Sequence, residues 1–172
     1  RWARRTEGAF DPTVGPLVRL WRRAARRGEL PDPVALARAR TSVGYERLEL
    51  GADRTARLLA ARMRLDLGGI AKGYIADRGL DVIRGMGLAI AQVQAGGDMS
   101  LGDAPPGLAG WPIHVPDFPP RKLGQAGEGD ADAAGLSFWH ANGGVSVSGD
   151  AFRFVEIDDV RYSHVVDPRT GL

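Results

Sequence analysis

The segment LDLGGIAKGYIAD, residues 65–77, opens the best-defined helix of the 172-residue chain. An apolar strand end delivers Asp66, two glycines allow close backbone approach, and Lys72 falls in the first helical turn. Free N–H groups at a helix N-terminus and a lysine suit a phosphate or pyrophosphate, and Asp66 could accept from a ribose, ribityl or ring N–H group. The pattern also fits a plain helix start with a solvated Lys72, because it matches neither a Walker motif nor GxGxxG.

Two helices are predicted on the N-terminal side of this segment. Apolar residues recur at helical spacing ahead of Gly28: Leu17, Leu20, Trp21 and Ala24. Asp32 and Pro33 form a cap and first-turn pair, which predicts a second, short helix from Pro33 to about Thr41. Both helices are rich in arginine.

Strands are predicted around the central helix. Residues 45–67 favour a meander about a turn at residues 51–54, although TARLLAARM also suits a helix. The helix that begins within residues 65–77 is expected to have an apolar side formed by Ile70, Tyr74, Leu80 and Ile83. Further predicted strands are LAIAQVQ, WPIHV, LSFWHA, GGVSVSG, FRFVEI and VRYSHVV, with AGGDMSLG as a tight turn. This order predicts an α+β fold of mixed or antiparallel sheets packed with a few helices.

The composition, with 44% hydrophobic and 26% charged residues, is that of one ordinary globular domain. A chain of this length buries about two-thirds of its unfolded surface, so it needs no disulfide or metal to form a core. The absence of cysteine excludes a thiol nucleophile, a Cys-ligated zinc and an iron–sulfur cluster within the chain. Residues 116–135 are rich in Pro, Gly, Asp and Ala, which indicates a loop or insertion without chemistry.

The net charge of +2 hides a division along the sequence. Residues 1–64 carry a charge of +8, and the remaining residues carry −6. A basic half can attract nucleic acid, an anionic membrane or a phosphate-bearing ligand, and composition does not choose among these.

Two further clusters have side chains suited to chemistry. In RYSHVVDPRTG, His164 is expected in a strand that ends in a turn at Asp167, where it could be a general base, a phosphate donor or a metal ligand. An exposed His beside an ordinary Asp-Pro turn fits equally. In GAFDPTVGPL, Phe10 could stack on an aromatic ring and Asp11 could make polar contacts, or the motif is an N-cap with a hydrophobic staple. Ser148 lacks a GxSxG setting, so a serine hydrolase is not expected.

Taken together and in order, five segments resemble the ApbE family of FAD:protein FMN transferases. They are GAFDPTVGPLVRLW (8–21), LDLGGIAKGYIAD (65–77), AGGDMSLG (95–102), SVSGD (146–150) and HVVDPRTG (164–171). The resemblance implies an enzyme that binds FAD and, with Mg²⁺, moves FMN onto a Thr or Ser hydroxyl of an acceptor flavoprotein, releasing AMP.

The resemblance also implies site residues. Ala9, Phe10 and Asp11 match flavin contacts, and the other matched FAD contacts are Asp66, Lys72 and Val166. Gly69 falls where the family offers a main-chain carbonyl to the metal. His164 is the candidate catalytic residue, for proton transfer or phosphate stabilisation.

Family members continue beyond DPRTG into a strand and a helix whose Asp and Thr complete the metal site, and they begin further upstream, often with a lipoprotein signal. We therefore expect one domain over residues 1–172 that is incomplete at both ends. The resemblance places the protein outside the cytoplasm, with a membrane tether in the upstream segment, an acceptor in a redox-driven membrane system and no nucleic-acid partner. The alternatives are an FAD-binding module without transfer activity and an Arg-mediated binder of nucleic acid or an anionic surface.

Overall fold

The structure, a computed structural model, describes residues 1–116, 135–148 and 154–172. These residues form two compact units: residues 1–69 with 154–172, and residues 70–116 with 135–148. The expected loop or insertion lies, except for its two end residues, outside the described residues, as do residues 149–150 of SVSGD. The expectation of a single incomplete domain stays a prediction.

Three helices begin the first unit: α1 (Trp2–Arg5), α2 (Gly15–Arg27) and α3 (Pro33–Arg40). Gly28 ends α2 in the left-handed conformation, with φ of 66°, which glycine adopts without strain. The Asp32 carboxylate accepts from the Ala35 N–H at 2.8 Å and caps α3. Helices α2 and α3 were predicted from these local signals.

Two hairpins complete the first unit. A 3₁₀ turn (Tyr45–Arg47) leads into β1 (Leu48–Leu50), which pairs antiparallel with β2 (Ala56–Leu58). The second hairpin pairs β8 (Phe154–Ile157) with β9 (Val160–Ser163) across Asp158 and Asp159, both with positive φ. The core of the unit combines α2, β8 and the segment after β9, through Leu17, Trp21, Ala24, Ile157 and Val166.

The second unit packs one helix against a three-stranded antiparallel sheet. Helix α4 (Ala71–Gly85) contacts β3 (Gln92–Ala95) and β4 (Asp98–Leu101), and β4 also pairs with β7 (Gly143–Ser146). A separate hairpin joins β5 (Trp111–Pro116) to β6 (Gly135–His140). Every strand pair of the described residues is antiparallel, so the predicted α+β class is confirmed. No helix in the described ranges is both long and apolar enough to cross a membrane.

Four local predictions were wrong in detail. Strand β3 begins only at Gln92, and AGGDMSLG is not all turn because Asp98–Leu101 form β4. The predicted meander stops at β2, and His164 follows the end of β9 rather than lying in it.

The expected apolar side of α4 was also wrong. Ala76 and Leu80 are its buried residues, whereas Tyr74 is 64% exposed. At about 100° per residue, Tyr74 lies roughly 120° around the helix from Leu80, so the two cannot share one face.

Candidate functional site

In the first unit, the loop before α2 is fixed by a buried polar network. The Asp11 carboxylate accepts from the backbone N–H and the hydroxyl of Thr13, both at 2.7 Å, and from the Tyr45 N–H at 2.9 Å. The Thr13 hydroxyl in turn accepts from the Gly44 N–H at 2.8 Å. Asp11 and Thr13 are 5% and 0% exposed. Asp11 therefore ties the loop to the turn before β1, and its role as an FAD contact stays a prediction.

Phe10 and Gly69 lie side by side within this unit. A Cβ placed on Gly69 would lie 3.4 Å from the Phe10 ring. The approach is held by two backbone links, since Val14 bridges Arg64 and the Asp66 N–H donates to the Pro12 carbonyl at 2.8 Å. The backbone thus brings two separate sequence motifs together. Ala9, the third residue matched as a flavin contact, is exposed beside Phe10.

Asp66 is oriented at the end of this link. One carboxylate oxygen accepts from the Gly68 N–H at 2.9 Å, and the other pairs with the Arg22 guanidinium of α2 at 3.1 Å. The side chain remains 18% exposed. Asp66 is therefore held in place and still accessible to a ligand N–H or hydroxyl.

The segment after β9 is anchored to the helices of the same unit. The Trp21 indole N–H donates to the Gly171 carbonyl at 2.8 Å, and Arg40 donates to the Arg169 carbonyl at 2.7 Å. His164 is exposed, whereas Val166 is 8% exposed and belongs to the core. A contact from Val166 to FAD would therefore come from its main chain.

The Asp167 carboxylate is paired with Arg169 at 2.8 Å. Hydrogen bonds from the Arg169 side chain and backbone hold the pKa of Asp167 down, at about 2.

In the second unit, Lys72 belongs to a polar network centred on Asp98. Its ammonium lies 3.3 Å from the Asp98 carboxylate at the start of β4. The other oxygen of that carboxylate accepts from the Ser146 hydroxyl of β7 at 2.6 Å. Asp98 is 8% exposed, whereas the Lys72 side chain is 45% exposed. The ion pair with Asp98 positions the Lys72 side chain, which stays partly exposed to solvent.

The start of α4 adds unsatisfied donors next to Lys72. The first backbone N–H groups of a helix have no intrahelical partners, and at Ile70 no side chain caps them. Helix N-termini of this kind favour anions, and a neighbouring ammonium increases the attraction. This donor set fits the pyrophosphate of FAD.

The side chains of the described residues do not fit a magnesium site. No three His, Cys, Asp or Glu side chains lie together within residues 1–116, 135–148 and 154–172. The predicted Gly69 carbonyl alone does not provide the carboxylate that Mg²⁺ usually requires.

Sequence analysis missed Asp98 and Ser146 as site residues. Each lies in a segment that was matched as a motif, but neither spacing nor composition indicates that they meet Lys72. Asp98 is 26 residues from Lys72, and Ser146 reaches Asp98 only through the pairing of β4 with β7. The family match of the two segments was the only sign in the sequence that they take part in the site.

Of the residues predicted for the site, the structure places Phe10 beside Gly69 and bonds the Asp66 backbone to Pro12.

The sequence matches the model of a known protein family. The model of the ApbE family matches residues 1–172. The FAD:protein FMN transferase of Treponema pallidum is 34% identical, with 99% of this chain and 48% of the relative covered. The enzyme of the same name from Vibrio cholerae is 32% identical over 96% of this chain and 47% of its own length.

Solved structures agree with these relatives. The ApbE protein of Thermotoga maritima superposes with a TM-score of 0.81 at 33% identity, covering 99% of this chain and 52% of its own. The flavin transferase ApbE of Vibrio cholerae gives a TM-score of 0.78 at 30% identity, covering 98% and 51%. The chain thus spans about half the length of the relatives that it matches.

Proposed function

The chain belongs to the ApbE family, and on this premise we propose that the protein is an FAD:protein FMN transferase. The observation that carries the proposal is the Lys72 ammonium, held at 3.3 Å by a buried Asp98 beside the uncapped start of α4. A phosphate-binding element of this kind is what attack on a pyrophosphate requires.

The proposed reaction breaks the pyrophosphate bond of FAD and forms a phosphoester bond to the acceptor. The hydroxyl oxygen of an acceptor Thr or Ser attacks the phosphorus of the FMN half of FAD, and a new phosphoester bond forms. The bond from that phosphorus to the bridging oxygen breaks, AMP leaves, and the hydroxyl proton passes to a base. Lys72 and the N–H groups of α4 neutralise the phosphate charge, and His164 is our candidate for the proton acceptor.

The remaining matched residues are assigned to FAD. We propose that Phe10 and Ala9 contact the flavin, that Asp66 accepts from a ribityl or ring group, and that the Val166 main chain completes the contact. Asp11 holds the loop that carries Phe10. We propose that Mg²⁺ takes part in the transfer, as the family resemblance implies, although the described side chains do not themselves provide its carboxylate ligands.

Replacing Lys72 tests the proposal. Lys72→Met removes the charge and keeps most of the chain length, so we expect FAD affinity to fall roughly tenfold. Titration of the whole protein with FAD, followed by flavin fluorescence, measures this. The control is Arg57→Met on exposed β2, which loses the same charge and should bind FAD normally. Equal FAD affinity in the two variants would contradict the proposal.

We further propose that the protein acts outside the cytoplasm on an acceptor of a redox-driven membrane system, with an upstream lipoprotein segment as tether. The family resemblance supports this placement. Fusion of the natural N-terminus to alkaline phosphatase, which is active only after export, should give an active reporter. An inactive reporter that is stably produced would reject the placement.

A further inference from the structure

A groove between α2 and α3 concentrates positive charge in the first unit. Seven of its fourteen lining residues are arginines, and one is acidic. Helix α2 contributes Arg19, Arg23, Arg26 and Arg27, helix α3 contributes Arg38, and the segment after β2 contributes Arg62 and Arg64.

No ion pair among the described residues of the unit compensates these charges. The single acid, Asp32, uses one carboxylate oxygen to cap α3. None of the seven arginine side chains forms an ion pair or side-chain hydrogen bond with another residue of the described ranges, in contrast to Arg22, which pairs with Asp66. Uncompensated guanidinium groups in a concave surface create a strong positive potential.

The groove is continuous with the candidate site of the same unit. Pro16 and Arg64 line it, and the Arg64 backbone bridges Val14. Arg64 is two residues before Asp66, whose N–H is bonded to the loop that carries Phe10. Backbone links therefore connect the groove lining to the loop that carries the proposed flavin contacts.

We propose that the groove binds an acidic segment of the acceptor protein. This inference rests on the proposed function. Guanidinium groups pair with carboxylates in a bidentate manner, which a series of Asp or Glu side chains can exploit. A groove accepts an extended peptide better than a flat bilayer, and its lining lacks the aromatic side chains on which nucleic-acid bases stack.

Direct binding separates this inference from the transfer reaction. The probe is a fluorescein-labelled peptide of alternating Glu and Ser, compared with its Gln–Ser counterpart by fluorescence anisotropy on the whole protein. The double variant Arg23→Gln/Arg38→Gln removes two groove charges, and Arg54→Gln/Arg57→Gln removes two exposed charges elsewhere in the unit. We expect the groove variant to bind the Glu–Ser peptide roughly fivefold more weakly and the control to bind it normally.

The acceptor reaction gives the second readout. In the groove variant the KM for the acceptor should rise roughly fivefold with kcat unchanged, and FAD affinity should stay the same. If the wild-type protein does not bind FAD, the proposed function is wrong, whereas the peptide-binding experiment still tests the groove by itself. Equal binding of the two peptides, or equal weakening by the two double variants, would overturn the inference. Stronger displacement by phosphatidylglycerol vesicles or duplex DNA than by the Glu–Ser peptide would also overturn it.

Discussion

Thr13 and Thr55 make the same hydroxyl-to-aspartate hydrogen bond in opposite surroundings. Thr13 is fully buried and donates to Asp11, whereas Thr55 is exposed and donates to Asp53. Thr13→Val leaves buried Asp11 and Gly44 groups without their partner, so we expect a loss of about 2 kcal/mol in unfolding free energy. Thr55→Val should change it by less than about 0.5 kcal/mol. Urea denaturation measures both, and equal losses would contradict the structural role of the Asp11 network.

The ion pair of Asp167 with Arg169 makes the stability of the fold depend on pH. Its pKa is lowered from 3.8 to about 2 by Arg169, so the ionised form stabilises the folded state. That stabilisation is fully present above about pH 4 and disappears as the pH falls through about 2. Since the side chain is 31% exposed, we expect Asp167→Asn to cost only about 1 kcal/mol at pH 7.

Chemical denaturation of the wild type and of Asp167→Asn across this pH range checks the expectation. The two proteins should converge in unfolding free energy below about pH 2. A difference that persists unchanged at that pH would show that the ion pair is not its source.

At the scale of elements, two glycines at helix starts respond differently to a methyl group. A Cβ on Gly15 would lie 2.8 Å from the Arg64 carbonyl oxygen, so Gly15→Ala must separate α2 from residue 64 and should destabilise the protein by about 1–3 kcal/mol. A Cβ on Gly73 in α4 meets nothing within 4 Å, so Gly73→Ala should stabilise by about 0.5–1 kcal/mol. Thermal unfolding followed by circular dichroism measures both. Equal effects of the two changes would contradict the close approach at Gly15.

Elements that carry their own signals were predictable. Asp32 with Pro33 identified α3 and Gly28 identified the end of α2, because caps depend on neighbouring residues alone. The face of α4 was mistaken because Ala76, a small residue, packs against the sheet while the larger Tyr74 faces solvent. Burial of that kind is decided by the sheet opposite the helix.

At the scale of the whole molecule, the candidate site was only partly predictable. Lys72 and Asp66 were identified by their local pattern and family match, but the partner of Lys72 depends on tertiary contact across 26 residues. The charge division of the sequence was visible at once, yet the groove that uses it requires α2 and α3 to pack side by side. Individual site residues could be predicted from the sequence, but their contacts across the fold could not.

Intact-mass analysis of an acceptor shows whether the protein transfers FMN. The full-length protein is incubated with FAD, Mg²⁺ and the acceptor protein of the Vibrio cholerae relative, and AMP is measured in the same sample. We expect that the acceptor gains one FMN with loss of water, that one AMP appears per adduct, and that Lys72→Met greatly slows both. FAD that binds but yields neither adduct nor AMP would contradict it and favour an FAD-binding module.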